Sequence, residues 1–198
     1  MTTSGSTTTD LQRWVDLLQA GRPEARTGLL NRACDRLRLL ARAMLGGFPA
    51  VRTQEQTDDI LNGSLLRLHA TLSEVTPETL RHFYNLAGQA IRRELIDVAR
   101  RLNRGDGRRV VLMPDDAAAL HQPGREGCPV TLASWGEFHE AVEALPPDER
   151  EVVTLLWYEE LSQAEAASVL GVSERTVLRR WHAARLKLGR IIADDWGG

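Results

Sequence analysis

One stretch constrains this chain more than any other: LSQAEAASVLGVSERTVLRRWHAARLKL, residues 161–188. Its punctuation dictates a short helix, a tight turn and a long helix. Ser162 with Glu165 three residues on makes a capping box, in which each side chain satisfies an orphan backbone N–H. Gly171 stands where the first helix must end in a left-handed residue. Val172 fills the turn. Ser173 caps the second helix, and Glu174 suits the positive end of its dipole. Val177, Trp181, Ala184 and Leu188 recur at helical spacing as a buried stripe. The remaining face carries Arg175, Arg179, Arg180, Arg185 and Lys187.

That layout is a helix-turn-helix, and its second helix can enter a major groove N-terminus first. Arg175 and Arg179 are placed to donate to guanine edges. Arg180, Arg185 and Lys187 lie further along or to the side and suit phosphates. The competing reading is an Arg-rich solvated helix in an ordinary bundle. Two caps, a glycine turn and a basic outer face agree with one another, and that agreement favours DNA.

The whole-chain net charge of −2 does not advertise a nucleic-acid partner, but its distribution does. Acidic residues crowd 148–160, and arginines crowd 92–109 and 175–190. Lys187 is the only lysine. Arginine is the better residue for bidentate recognition of bases and phosphates, although a G·C-rich genome gives the same bias. Cys34 and Cys128 lie far apart, Cys34 on a helix's apolar side and Cys128 in a Gly/Pro-rich loop with His121 and His139 on either side in sequence. Neither a disulfide framework nor a metal site is indicated, and no cofactor is called for. No apolar run is long enough to span a membrane, and the N-terminus lacks a signal peptide's basic and apolar regions. A cytoplasmic setting is expected.

The expected fold is all-α, with two small helical domains on a flexible linker. Residues 1–9 read as a disordered tail. Residues 10–102 read as four helices, with Asp10, Pro23 and Thr57 near helix starts and Gly21 and Gly46-Gly47 at breaks. Residues 103–131 turn to Gly, Pro, Asp and Arg and read as linker. Residues 132–190 form the second domain, where Trp135, Phe138, Val142 and Leu145 mark one helix, 148–159 the next, and the helix-turn-helix closes it. Residues 191–198 read as a fraying tail.

Two helices of the first domain carry chemistry. In TDDILNGSLLRLHATL, Asp58, Asp59, Asn62 and Arg67 either cap and solvate the helix or form a docking surface. In RHFYNLAGQAIRRELIDVARRLNR, a basic track of Arg92, Arg93, Arg100 and Arg101 lies beyond Phe83 and Tyr84. Arginines with nearby rings suit a melted nucleic-acid strand, with phosphates on arginine and a base against a ring. Tyr84 is expected in the core; Phe83 is open to either role.

With these segments in view, the chain resembles the sigma-70 superfamily of bacterial RNA polymerase sigma factors, in the extracytoplasmic-function (ECF) group. LPPDEREVVTLLWYEELSQAEAASVLGVSERTVLRRWHAARLKL looks like the family's region 4 and RELIDVARR like the end of region 2. The resemblance implies a partner, core RNA polymerase, met through the β′ clamp helices by Asp58, Asp59, Asn62 and Arg67 and through the β flap. It implies a second, promoter DNA. The melted −10 strand would meet Phe83, Arg92, Arg93, Arg100 and Arg101, with 71–79 near a flipped base. The double-stranded −35 element would meet Ser173, Glu174, Arg175, Thr176, Leu178, Arg179, Arg180 and Arg185. It further implies a monomer when free and an anti-sigma factor as a third partner.

Four positions depart from the family pattern: Asn62-Gly63 replaces a frequent Gln-Glu, Arg93 a frequent Asn, and Leu178 a residue often basic or polar. The alternative function is a dimeric helix-turn-helix regulator that binds a two-fold operator without polymerase. A DNA-acting enzyme is disfavoured, because no nucleophile motif, P-loop or metal-binding set is present. One further expectation concerns charge: the acidic 148–160 stretch can mask the basic 92–109 stretch in the free chain, or give an anti-sigma factor a surface.

Overall fold

The computed structural model describes residues 4–46, 54–105 and 132–196; the side chains of 4–7, 42–46, 54–61, 64, 101–105, 132–134 and 190–196 lie outside that description. Among the described residues every regular element is a helix. In chain order they are α1 (Ser4–Gln19), α2 (Ala25–Gly46), α3 (Gln54–Glu74), α4 (Leu80–Gly105), α5 (Leu132–Ala144), α6 (Pro147–Val153), α7 (Gln163–Leu170) and α8 (Glu174–Trp196). A π-helical turn, Thr154–Tyr158, extends α6.

The apolar stripes read from the sequence form the core. Leu11, Val15 and Leu18 of α1 meet Leu30, Ala33, Leu37 and Leu40 of α2, with Leu68 and Leu72 of α3 and Tyr84, Ala87, Ile91, Leu95 and Val98 of α4, all buried. Gly28 allows the close approach of α1 and α2, since a Cβ there would stand 2.6 Å from the Trp14 ring. In the second group Trp135, Phe138, Val142 and Leu145 are buried with Val152, Val153, Leu155 and Tyr158. Rings of Trp135, Phe138, His139, Trp157 and Tyr158 pack edge to face or tilted.

Several element ends differ from expectation. The first helix begins at Ser4, within the stretch read as a tail and six residues before Asp10. Thr8 Oγ1 lies 3.4 Å from Glu165 Oε1, a tertiary contact that polar composition alone does not foretell. The third helix begins at Gln54, ahead of Thr57. The fourth continues to Gly105, into the segment read as linker, and α8 continues to Trp196. Cys128, His121 and the 106–131 part of the linker lie outside the described residues. Cys34 is half-buried, and its desolvated thiol titrates above the ordinary range.

The two helical groups do not stand apart. The face of α4 turned away from α2 and α3 lies against α5 and the π turn. Small residues set the distance of this packing: a Cβ at Gly136 would stand 3.4 Å from Ala99 Cβ, and one at Gly88 would overlap the Thr154 side chain. Further along, Arg36 of α2 is 2 % exposed and donates to the Tyr158 carbonyl, from Nε at 2.7 Å and also from Nη2. It also pairs with Glu160 at 3.2 Å. Glu160 takes φ +56°, a left-handed conformation that costs a non-glycine residue about 1 kcal/mol.

Candidate nucleic-acid interfaces

The helix-turn-helix is built as its sequence dictates. Ser162 Oγ accepts from Glu165 N–H at 3.2 Å, and Glu165 accepts from Ser162 N–H at 2.8 Å. Gly171 takes φ +67°, ending α7 in the left-handed region. Ser173 Oγ accepts from Thr176 N–H at 3.3 Å at the start of α8. Val177 and Ala184 are fully buried and Leu188 nearly so, while Trp181 is half-buried. The stripe that seats α8 is therefore the one counted from its 3.6-residue period.

Seating that stripe turns the opposite face outward. Ser173, Glu174, Arg175, Leu178, Arg179 and Arg185 are exposed, and Thr176 is half-buried. Arg175, Arg179 and Arg185 make no ion pair among the described residues. Arg180 differs: its side chain is 20 % exposed and donates to Asp148 at 2.6 Å. Lys187 donates to Glu149, also at 2.6 Å. Both acids lie in the first turn of α6, where a helix dipole favours them. The basic face of α8 is thus divided, with Arg180 and Lys187 bracing the helix against α6 and Arg175, Arg179 and Arg185 free to meet a ligand. Leu178, 38 % exposed, lies among the latter as an apolar contact.

The basic track of α4 has another arrangement. Arg93 is exposed and makes no ion pair among the described residues. Arg92, one position before it, is 3 % exposed. Arg92 Nε donates to Glu143 at 2.8 Å, its Nη1 donates to Thr154 Oγ1 at 2.8 Å, and its guanidinium lies 5.5 Å from the Tyr158 ring centroid. Arg100 donates to Glu140 at 2.8 Å. Arg81 makes a two-pronged pair with Glu151, at 2.8 and 2.6 Å, and Asn85 adds a bond to the same carboxylate at 2.8 Å. The side chain of Arg101 lies outside the described set.

Phe83 corrects an expectation: it is 2 % exposed, beside Tyr84, and lines a small apolar cavity with Leu18, Leu29, Leu30, Leu72 and Pro77. It is a core residue, because α4 is packed on two sides and successive positions 100° apart are both covered. Arg92 is likewise unavailable to a strand in this arrangement, since it is buried against Glu143 and Thr154.

On α3, Asn62 and Arg67 are exposed, and the side chains of Asp58 and Asp59 lie outside the described set. Arg67 pairs with Glu94 at 2.9 Å and with Asp97 at 3.6 Å. A Cβ at Gly63 would meet nothing within 4 Å, so no packing demands glycine there. Leu66 beside it is 73 % exposed.

Electrostatics follow the packing. Burial alone raises the Glu143 and Glu151 carboxyls, but hydrogen bonds and charge from Arg92 and from Arg81 outweigh it, leaving both below the ordinary value. His139 is fully buried with Nδ1 2.7 Å from the Tyr158 hydroxyl; desolvation first, and Arg92 second, lower it to about 3. Burial of Glu159 raises its carboxyl despite Arg36 and Arg32. Among the described residues no group of His, Cys, Asp and Glu could hold a metal, and no helix is long and apolar enough to cross a membrane.

The residues that sequence reasoning missed are Arg81, Glu140, Glu143, Glu151 and Thr154. A signal was present: 81, 85, 88, 92 and 99 recur at helical spacing as a second stripe on α4, with Gly88 and Ala99 as its small members and Arg100 at its edge.

The fold and its exposed helix-turn-helix define a class, the all-helical DNA-binding proteins. The comparisons narrow it. The family model for ECF sigma factors matches residues 8–194. The chain is 27 % identical over 149 residues to the ECF RNA polymerase sigma factor EcfG of Rhodopseudomonas palustris (strain TIE-1), covering 72 % of this chain and 77 % of that protein. CnrH, solved in complex with the cytosolic domain of CnrY, is similar at 23 % identity and TM-score 0.38, over 94 % of this chain and 99 % of that one. The sigma factor RpoE of Bartonella quintana, solved with the anti-sigma factor NepR, is similar at 20 % identity and TM-score 0.36, over 86 % and 98 %. The chain belongs to the ECF sigma factor family.

Proposed function

We propose that this chain is the promoter-recognition subunit of a bacterial RNA polymerase, cytoplasmic and without catalysis of its own. It binds core polymerase, reads a −35 element with α8 and a −10 element with α4, and directs initiation at promoters that carry both. The observation that carries this reading is the recognition helix: α8 is seated by Val177, Ala184 and Leu188 and presents Arg175 and Arg179 without ion partners among the described residues. Preorganised guanidiniums of this kind bind guanine edges in the major groove. Ser173, Glu174, Thr176, Leu178 and Arg185 flank that contact. Arg180 is assigned to the brace with Asp148 rather than to phosphate.

On α4, Arg92, Arg93, Arg100 and Arg101 are assigned to the −10 element and its backbone, and α3, with Asp58, Asp59, Asn62 and Arg67, to the polymerase clamp. Residues in two helical groups suit a bipartite site, because binding at one element raises the effective concentration at the other. Two solved relatives hold a partner, CnrY in one and the anti-sigma factor NepR in the other. An anti-sigma factor is the corresponding partner here. Family membership favours this reading over an operator-binding dimer.

The test is transcription in vitro from a library of random promoter-length DNA, with sigma-free core polymerase and the purified chain. Transcript starts behind a shared two-part motif are expected. Footprints on palindromic DNA without polymerase, and no enriched starts, would overturn it.

A further inference from the structure

The basic residues of α4 and the acids facing them form an ordered series. Arg100 meets Glu140, Arg92 meets Glu143 and Arg81 meets Glu151. As the α4 number falls the partner number rises, so the two surfaces run antiparallel. From Arg81 to Arg100 is nineteen residues, about 28 Å of helix. The middle of the series is dry. Arg92 is 3 % exposed above Thr154 and the Tyr158 ring, and Gly88, Ala99 and Gly136 let the two surfaces close.

To a guanidinium, a carboxylate and a phosphate are alternative partners for the same planar fork of donors. Buried against Glu143 and Thr154, Arg92 has no open side for a nucleic-acid backbone while the two surfaces are closed. We propose that the acidic series Glu140, Glu143 and Glu151 is an internal substitute for promoter phosphates, holding the free chain closed over its own −10 face. The inference rests on the assignment of that face to the −10 element. It goes beyond charge masking in general, because it names the pairs, their order and the dry centre. It also differs in its acids: within 148–160 the ion pair to α4 comes from Glu151, while Asp148 and Glu149 hold α8 and Glu159 and Glu160 pair with α2. Binding of a −10 strand must break the series. The apparent affinity of α4 for DNA is reduced by the fraction of chains that are open.

A cross-link tests closure and its consequence separately. Ala99→Cys with Gly136→Cys, in a Cys34→Ser/Cys128→Ser background, places two thiols where Cβ atoms stand about 3.4 Å apart, near the span of a disulfide. The free full-length chain is oxidised mildly and the cross-linked fraction measured. Oxidised and reduced forms are then compared, with core polymerase, for binding to a fork DNA whose −10 segment is single-stranded. The expected result is near-complete cross-linking in the free chain and at least a roughly tenfold loss of fork binding, restored by reductant. Absence of cross-linking would overturn the closed arrangement, and equal binding by oxidised and reduced forms would overturn inhibition. If the native chain itself fails to bind the fork with polymerase, the −10 assignment falls and the inference with it. The cross-link yield, which needs no DNA, tells that failure from the others.

Discussion

The basic faces of α4 and α8 use the same side chain to opposite ends. On α8 the acids of the neighbouring helix take Arg180 and Lys187 at the flank and leave Arg175, Arg179 and Arg185 exposed. On α4 the acids of the opposing group bury Arg92 and pair with Arg81 and Arg100, which stay exposed, and Arg93 makes no ion pair among the described residues. Availability to a ligand is therefore set by what packs opposite, not by how many arginines a helix carries. Under the proposed assignment, the −35 face is ready in the free chain and the −10 face is conditional.

The largest expected effect would break this comparison on the α8 side. Arg175→Ala and Arg179→Ala should each cost about 1–3 kcal/mol of discrimination at one −35 position. Competition gel shifts with single-base variants measure it; uniform weakening across all sequences would assign these residues to phosphate instead. The Arg180→Ala variant should leave that discrimination unchanged, because its side chain is held by Asp148.

On the α4 side, Gly88→Ala sharpens the comparison by separating the helix from its interface. Alanine favours the helix by about 1 kcal/mol, while its methyl overlaps Thr154 and pushes the two groups apart. Higher protection of α4 amides in hydrogen exchange is expected together with lower cross-linking between positions 99 and 136. Charge reversal by Glu140→Lys with Glu143→Lys should open the same interface without touching the core.

Acid should open it too. Glu143 and Glu151 titrate below their ordinary value of 4.5 in the closed chain. A depressed carboxylate contributes stability that is fully present above the unfolded value and is lost as pH falls through the folded one. The closed fraction, read as the energy-transfer distance between the two helical groups, should therefore be constant above about pH 5 and decline below about pH 4. His139 acts over a different window. Its value near 3 favours the neutral ring, so global stability should decrease as pH drops from 6.5 toward 3. Thermal melts of the full chain measure it. The smallest effect is at the cap: Ser162→Ala should cost about 1 kcal/mol through loss of the reciprocal bonds with Glu165.

The helix-turn-helix was legible because its determinants are local. Ser162, Glu165, Gly171 and Ser173 act within a few residues of themselves, and the Val177 stripe packs into the core of its own helical group. The four helices before it were legible by period, though not their ends: Ser4 and Gln54 begin helices ahead of the expected caps. What the sequence hid is the second packing surface of α4. Arg92 and Arg93 are adjacent and chemically identical, yet one is 3 % exposed and the other exposed. A 100° step around the helix separates them, and only knowledge of what lies across that step decides their roles. Phe83 misled for the same reason, since a helix covered on two sides buries neighbouring positions that a one-sided helix would divide.

The most direct test of the central claim is a distance between the two helical groups in solution. Labels at Arg13→Cys on α1 and Gly189→Cys on α8, in the Cys34→Ser/Cys128→Ser background, report it without touching either basic face. Both positions are exposed. Energy transfer should show one short distance in the free chain and a longer one when core polymerase and fork DNA are added, with the change abolished by the 99–136 cross-link. A long distance in the free chain, or the same distance in both states, would contradict a −10 face held shut by its own acidic partner.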